Sequence, residues 1–149
     1  MADISLKIES GEKEIELINA KSGSSVNVII AVYDILFLYR IMDAAEQLDG
    51  LRKEVADLIT DHMSNEKFRL AGQKALETDP KMRAIVDDLL GAPVCDTLFP
   101  RQSMFTVGNG AQTCENILYS VIDQMDDGLA AEKEKARARI RKYSEKYKR

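Results

Sequence analysis

Apolar and polar residues alternate along the first part of the chain. Ile4, Leu6 and Ile8 are separated by polar residues, and a second alternation follows at residues 14–17. A period of two on both sides of a Ser-Gly turn predicts a β-hairpin over residues 1–18. Because two strands alone are marginally stable in water, we expect this hairpin to rest on helices or on another subunit.

The next apolar segment, residues 26–47, has the length of a helix, and its apolar surface extends most of the way round. Such a surface is typical of a buried helix. Residues 26–32 are rich in valine and isoleucine and also fit a strand. The sequence therefore does not decide whether the first one or two turns of this segment are helix or strand. The apolar surface of residues 28–42 exceeds what one exposed helix carries, and it predicts self-association.

Two further helices are expected downstream. A break or a bend is predicted at Asp49-Gly50, and apolar residues three and four apart then indicate an amphipathic helix over residues 51–63. Ser64 is a suitable N-cap for the helix that follows, since its hydroxyl can accept a hydrogen bond from a free N–H of the first turn.

A start signal lies at Asp79-Pro80, where Asp79 fits the N-cap and Pro80 the first helical position. That helix should end at Gly91. One or two helical turns are expected before Pro100, followed by a loop over residues 101–110. From residue 111 onward, apolar spacing predicts a last helix that continues into the C-terminal segment.

These elements predict an α+β fold that is mostly α. The hairpin takes residues 1–18, a helical body takes residues 24–131, and a basic helical tail takes residues 132–149. With 149 residues, of which 45% are apolar, the chain has enough material for one domain with its own core. We therefore expect a single domain.

The tail carries a charge opposite to the rest of the chain. Residues 132–149 hold nine Lys or Arg against three Glu, a balance of +6. Because the whole chain is −4, residues 1–131 carry −10. Helix C-termini favour cations, but this number exceeds what that effect requires. We expect the tail to dock a partner through cations that share one helical stripe: Lys135, Arg139, Lys142, Lys146 and Arg149.

Candidate catalytic and metal-binding residues are sparse. His62 is the single histidine, and neither Cys95 nor Cys114 has metal-ligand spacing to it. No nucleophile motif or phosphate loop occurs, and Asp123 and Asp127, four residues apart, are better explained as a solvated face than as a cation site. We therefore expect no catalytic residues, no metal and no cofactor, and two reduced, inert thiols.

Composition also bears on location. The N-terminus lacks the basic start and apolar core of a signal peptide, and the longest apolar run is interrupted by Asp34 and Arg40. The chain is thus expected to be cytoplasmic, with no membrane partner. A pI near 5.1 argues against broad nucleic-acid binding, which requires a basic face.

The order of elements resembles the small proteins of phage and prophage tail modules, including tail assembly chaperones. The resemblance rests on a strand pair, a helical body, then Leu89-Leu90-Gly91, Leu98-Phe99, a loop and a final helix. About forty residues match at motif level, while Pro100 stands where such proteins commonly have glycine. The resemblance implies a non-enzymatic protein of the bacterial host cytoplasm that binds phage tail proteins and associates with itself. An alternative is a small acidic regulatory or inhibitory protein that binds a host factor.

Overall fold

A computed structural model describes residues 2–31, 33–108 and 111–146. The fold is α+β and mostly helical, with an antiparallel hairpin ahead of the helices, as the sequence predicts. The elements are, in chain order, β1 (Glu12–Ile18), β2 (Ser25–Ala31), α1 (Ile35–Ala56), α2 (Asn65–Leu90), α3 (Val94–Leu98), β3 (Val107–Gly108), β4 (Ala111–Gln112) and α4 (Thr113–Lys146).

The hairpin lies further along the chain than residues 1–18. Strand β1 pairs with β2, and Ile18 stands opposite Ser25 across a loop closed by a hydrogen bond of 2.8 Å from Asn19 N–H to the carbonyl of Ser24. Residues 4–8, predicted as the first strand, are exposed and belong to no strand. The expected turn at Ser10-Gly11 and the helical interpretation of residues 26–31 are therefore wrong.

The reason for this shift lies in what each segment can bury. In β2, Val28 and Ile30 point into the core, while the residues between them face solvent. β-Branched residues in alternation favour a strand that lies with one face on other elements. The segment around Leu6 alternates more strictly than β2, but none of its apolar side chains is buried in this fold.

Helix α1 runs through the predicted break at Asp49-Gly50. A glycine in a helix interior costs about 1 kcal/mol. Here Leu48 and Val55, on the buried face either side of Gly50, hold the helix against the body. Asp34 caps the N-terminus, with its carboxylate accepting a hydrogen bond of 2.9 Å from Leu36 N–H.

Helix α2 begins after the predicted cap, Ser64, and continues through Pro80 to Leu90. The helix start expected at Asp79 is therefore wrong. Thr78 and Met82 are buried on one side of α2, so packing keeps the two segments in line. Gly91 ends the helix in the left-handed conformation (φ 67°), as predicted.

Most of the buried apolar side chains, Val55 and Ala71 excepted, form one connected cluster drawn from the hairpin, all four helices and the loop after α3. Strand β2 contributes Val28 and Ile30, α1 contributes Phe37 and Ile41, and the other helices close around them. The hairpin loop is joined to α3 by a hydrogen bond of 2.7 Å from Asn19 Nδ2 to the carbonyl of Leu98. In the parts of the chain that the structure covers, no helix has both the length and the apolar character needed to cross a bilayer.

Candidate interaction surfaces

Helix α1 is apolar on two opposite sides. Its inner side is buried and includes Phe37 and Ile41. At about 100° per residue, Ile35, Tyr39 and Met42 project from the opposite side. These side chains are exposed, Tyr39 by 67%, and the neighbouring Leu38 widens the stripe. We call Ile35, Leu38, Tyr39 and Met42 the outer face of α1.

The outer face is confined to the first two turns of α1. Further along the same side come Glu46, Asp49 and Lys53, all charged. Hydrogen bonds from Arg52 and Lys53 lower the pKa of Asp49, and the Lys53 Nζ to Asp49 Oδ2 distance is 3.1 Å. Contiguous exposed apolar surface beside a charged segment is typical of a protein-binding site.

The outer side of the hairpin is acidic. Glu12, Glu14 and Glu16 alternate along β1 and are exposed, while Ile15 and Leu17 are half-buried against the body and Lys13 is exposed. Opposite them on β2 lie uncharged residues, with Ile29 across from Glu14 and Asn27 across from Glu16. Three carboxylates in a row on one strand face create a local negative potential suited to a basic partner.

A groove of about 520 Å³ runs beside β1, between that strand and the start of α4. Its lining includes the consecutive residues 15–18 of β1 and continues to Lys21, but it contains no residue of β2. Leu98, Phe99 and Ile117 form much of the opposite wall. Within the described residues the sheet consists of β1 and β2 alone, so the groove follows an unpaired strand edge.

The basic tail continues α4 as far as Lys146. Lys135, Arg139 and Lys142 have exposed side chains, and their spacing of four and three places them along one helical stripe. Ile140 is also exposed, so the body does not cover this part of the helix. Of the other predicted binding residues, Lys146 ends α4 with its side chain outside the described set, and Arg149 lies beyond the described residues.

Arg83, whose own side chain is 13% exposed, is the centre of a polar cluster between α2 and the segment that follows it. Its Nε donates to Asp79 Oδ2 (2.8 Å), Nη1 donates to Asp96 Oδ1 (3.0 Å), and Nη2 donates to the carbonyls of Phe99 (3.0 Å) and Gln102. Burial acts to lower the pKa of Arg83, but Asp79 and Asp96 outweigh it and raise that pKa. The cluster ties the loop after α3 to α2, which is a structural role.

Asp79 has a second partner that explains why it does not cap a helix. Its Oδ1 accepts a hydrogen bond of 2.6 Å from Met104 N–H, and Met104 is fully buried. Both carboxylate oxygens are therefore used to hold the loop on α2. The sequence could not have shown this, because the loop residues that Asp79 and Arg83 contact carry no local signal.

Both thiols are buried and free. Burial and the nearby Asp87 raise the pKa of Cys95 well above its usual range. Burial raises the pKa of Cys114 to about 11, with a smaller contribution from the charge of Glu115. Because the thiolate is the reactive form, neither side chain is suited to nucleophilic chemistry near neutral pH.

His62 lies exposed in the connection between α1 and α2. Asp123 is exposed on α4, whereas the side chain of Asp127 lies outside the described set. Among the described residues, no three His, Cys, Asp or Glu side chains are grouped as metal binding requires.

A cavity of about 300 Å³ lies between α1 and α4. Apolar side chains such as Leu48, Leu118 and Ile122 line much of it, and Arg52 lies at its side. Gln112 Oε1 is buried there and has no hydrogen-bond partner among the described residues. The volume of this cavity is at the lower end of the range for small-molecule sites.

Comparison with protein-family models, with curated proteins and with solved structures found no match to this chain. The surfaces described above are therefore the basis on which a function can be argued. Sequence reasoning found the tail and the excess of apolar surface around α1. It missed the groove, because its walls come from residues about 80 to 100 positions apart.

Proposed function

We propose that this protein is a non-enzymatic assembly or chaperone-type protein of a phage or prophage tail. It acts in the cytoplasm of the bacterial host and binds apolar segments of other virion proteins. The observation that carries the proposal is the outer face of α1, together with the resemblance in the order of elements. An assembly protein needs such a surface, since it must cover apolar segments of its client until these pack in the finished structure.

The position of the outer face supports this role. It lies opposite the buried side of α1, so its residues are not required for the core, and a partner can cover them without unfolding the body. Tyr39 and Met42 suit such contact, because tyrosine is enriched at interfaces and the flexible methionine adapts to different partners. An amphipathic helix of the client is the expected ligand.

The basic tail gives the proposed complex a second contact. Lys135, Arg139 and Lys142 extend beyond the body and can approach an acidic surface of the client. Exposed charge pairs contribute little each, but a row of them accelerates association and makes it dependent on salt. The apolar face would supply affinity, and the tail would supply rate and orientation.

The experiment is co-expression with the proteins encoded beside this gene, the tape-measure protein first. We expect this chain to keep its client soluble and to elute with it on size-exclusion chromatography. Tyr39→Lys should abolish co-elution. Leu76→Asp is the matched control, since Leu76 is an equally exposed apolar residue on α2. Equal loss with both variants, or no co-elution of the wild type with any neighbouring product, would overturn the proposal.

A second candidate is a small acidic protein that regulates or inhibits a host factor. The row formed by Glu12, Glu14 and Glu16 favours it, because it offers a compact negative surface to a basic target. Replacing all three with glutamine should then abolish binding to that target, while Tyr39→Lys should leave it intact. The opposite pattern supports the assembly role.

A further inference from the structure

Residues 2–11 form an exposed N-terminal segment that belongs to no helix or strand. We call this segment the arm. Ile4, Leu6 and Ile8 are exposed by 79%, 82% and 87%. They alternate with polar residues, so in an extended chain all three project to one side. Such a pattern is that of a strand with one buried face, and here no element covers it.

The groove beside β1 has the features needed to accept a strand with one apolar face. It follows an unpaired strand edge, and its far wall is apolar through Leu98, Phe99 and Ile117. An incoming strand could form main-chain hydrogen bonds with β1 and direct every second side chain into the groove. Strand addition of this kind combines main-chain pairing with pockets for alternate side chains.

The register of the arm against β1 matches in both shape and charge. An antiparallel ladder centred on Ser10-Gly11 places Leu6 opposite Ile15 and Ile4 opposite Leu17. Ile15 and Leu17 are the half-buried residues of β1 that pack against the core. Ile4 and Leu6 therefore fall on the core side of the sheet beside half-buried residues, whereas Ile8 lies opposite Lys13, which is exposed.

On the outer side of the sheet, the same register places Lys7 opposite Glu14, with Glu12 and Glu16 as its diagonal neighbours. Opposite charges directly across a ladder are stabilising. Lys7 is the one cation in the arm, and it falls at the centre of the acidic row. Glu9 opposite Glu12 is an unfavourable pair beside the centre of the ladder, where both side chains are exposed to solvent.

Within one chain this register would need a two-residue turn at Ser10-Gly11, closed by the main chains of Glu9 and Glu12. In the structure, Glu12 N–H instead donates to Ser10 Oγ at 3.2 Å, and the arm does not lie over its own groove. Two copies can form the same register reciprocally without a tight turn when each chain bends at Gly11, which has a positive φ of 76°. A local irregularity there shifts the alternation by one residue, as a β-bulge does, so that Leu6 and Ile15 project to the same face of the sheet. Exchange of identical elements across a short hinge is a common route to dimers.

We propose that a second copy of this chain occupies the groove with its arm, in a reciprocal, two-fold strand-exchanged dimer. The interface uses the arm, β1 and the wall of α3 and α4, and it leaves the outer face of α1 free. The inference thus goes beyond the proposed function, and either can fail without the other.

Light scattering on the full chain is the first test. We expect a dimer at tens of micromolar, with Leu6→Asp and a chain lacking residues 2–9 both monomeric. Leu76→Asp and Tyr39→Lys should remain dimeric, since both residues lie outside the exchanged interface. Circular dichroism should show the same helix content in every variant, because Leu6 contributes nothing to the core. A wild type that is monomeric at this concentration, or a Leu6→Asp variant that stays dimeric, overturns the proposal.

Cross-linking distinguishes exchange from closure of the arm on its own groove. A mixture of Leu6→Cys chains with Ile15→Cys chains should form a disulfide-linked heterodimer on mild oxidation. Ile29→Cys, on the outer side of β2, replaces Ile15→Cys as the matched control and should give no specific product. A chain carrying both Leu6→Cys and Ile15→Cys that cross-links only within the monomer shows closure in one chain and overturns the exchange.

Discussion

Adjacent residues of β2 show how the pleat divides one apolar run into core and surface. Ile30 is 1% exposed and Ile29 is 59% exposed, although the two have the same side chain and the same strand conformation. Successive side chains of a strand point to opposite faces, so a neighbour in sequence is not a neighbour in the core. Substitutions at the two positions should therefore differ sharply.

Ile30→Ala is expected to lower the free energy of unfolding by about 2–5 kcal/mol, because it removes buried atoms and leaves a cavity. Ile29→Ala, at the exposed position, should change it by less than about 0.5 kcal/mol. Urea denaturation followed by circular dichroism measures both. Equal effects at the two positions would mean that β2 does not rest on the helices in this orientation.

The buried thiol of Cys114 predicts a pH dependence at the same scale. Its pKa rises from the ordinary 9.0 to about 11 in the folded chain. The folded state thus retains the proton more tightly, so this contribution to stability is complete below pH 9 and is lost as the pH rises to about 11. Denaturation at pH 8 and pH 10.5 should show a smaller loss of stability for Cys114→Ala than for the wild type. An identical loss would show that this thiol does not titrate differently on folding.

At the scale of elements, the long apolar stripes were predictable, but only some of the breaks between them were. Ser64 and Gly91 act where the sequence places them, because capping depends on local backbone geometry. Asp49-Gly50 and Asp79-Pro80 carry equally strong local signals, yet α1 and α2 pass through both. In each case packing on the core outweighs the free-energy cost of a glycine or a proline in a helix interior, about 1 to 3 kcal/mol.

The hairpin also shows that packing on the core outweighs local sequence signals. The alternation around Leu6 and the run of β-branched residues around Val28 both indicate a strand, and only the assembled helices decide which of the two segments they can cover. Of the candidate surfaces, the apolar excess of α1 and the tail cations were predictable from composition. The groove and the Arg83 cluster were not, since both depend on contacts between segments distant in the chain.

Pro80 is expected to be a site where stability can be gained. It lies inside α2, where proline lacks the N–H that would donate to the carbonyl of Leu76. Pro80→Ala should raise the free energy of unfolding by about 1–3 kcal/mol. Lys81→Ala, at the adjacent exposed position, is the control and should change it little. A loss of stability in Pro80→Ala would show that α2 needs the proline to reach its position against the loop after α3.

At the scale of the whole molecule, charge and packing are separated along the chain. Among the side chains that the structure describes, Met125 is the last on α4 to join the core, whereas those of residues 134–142 are all exposed. The acidic body and the basic tail therefore share one continuous helix but have different tasks. The body specifies the fold, and in the function we propose the tail directs the approach of a partner.

Deletion of residues 132–149 should leave the body folded, with a thermal midpoint close to that of the full chain. Termini that bury little surface tolerate truncation. Partner binding should weaken and lose its salt dependence, since exposed charges are screened over about 8 Å at physiological ionic strength. Thermal melts and binding titrations at 50 and 300 mM salt measure the two effects. An aggregated truncation would show that the tail is structural, and the docking role would then be wrong.

The Arg83 cluster also bears on the order in which the chain folds. Its hydrogen bonds join residues separated by 4, 13, 16 and 19 positions, whereas the bond from the hairpin loop to α3 spans 79 positions. Short loops close at a lower entropic cost, and local contacts form early. The second half of α2 and the loop after α3 should thus assemble first, and the hairpin should join last. Loss of Arg83 would then slow folding, while a weakened hairpin would mainly accelerate unfolding.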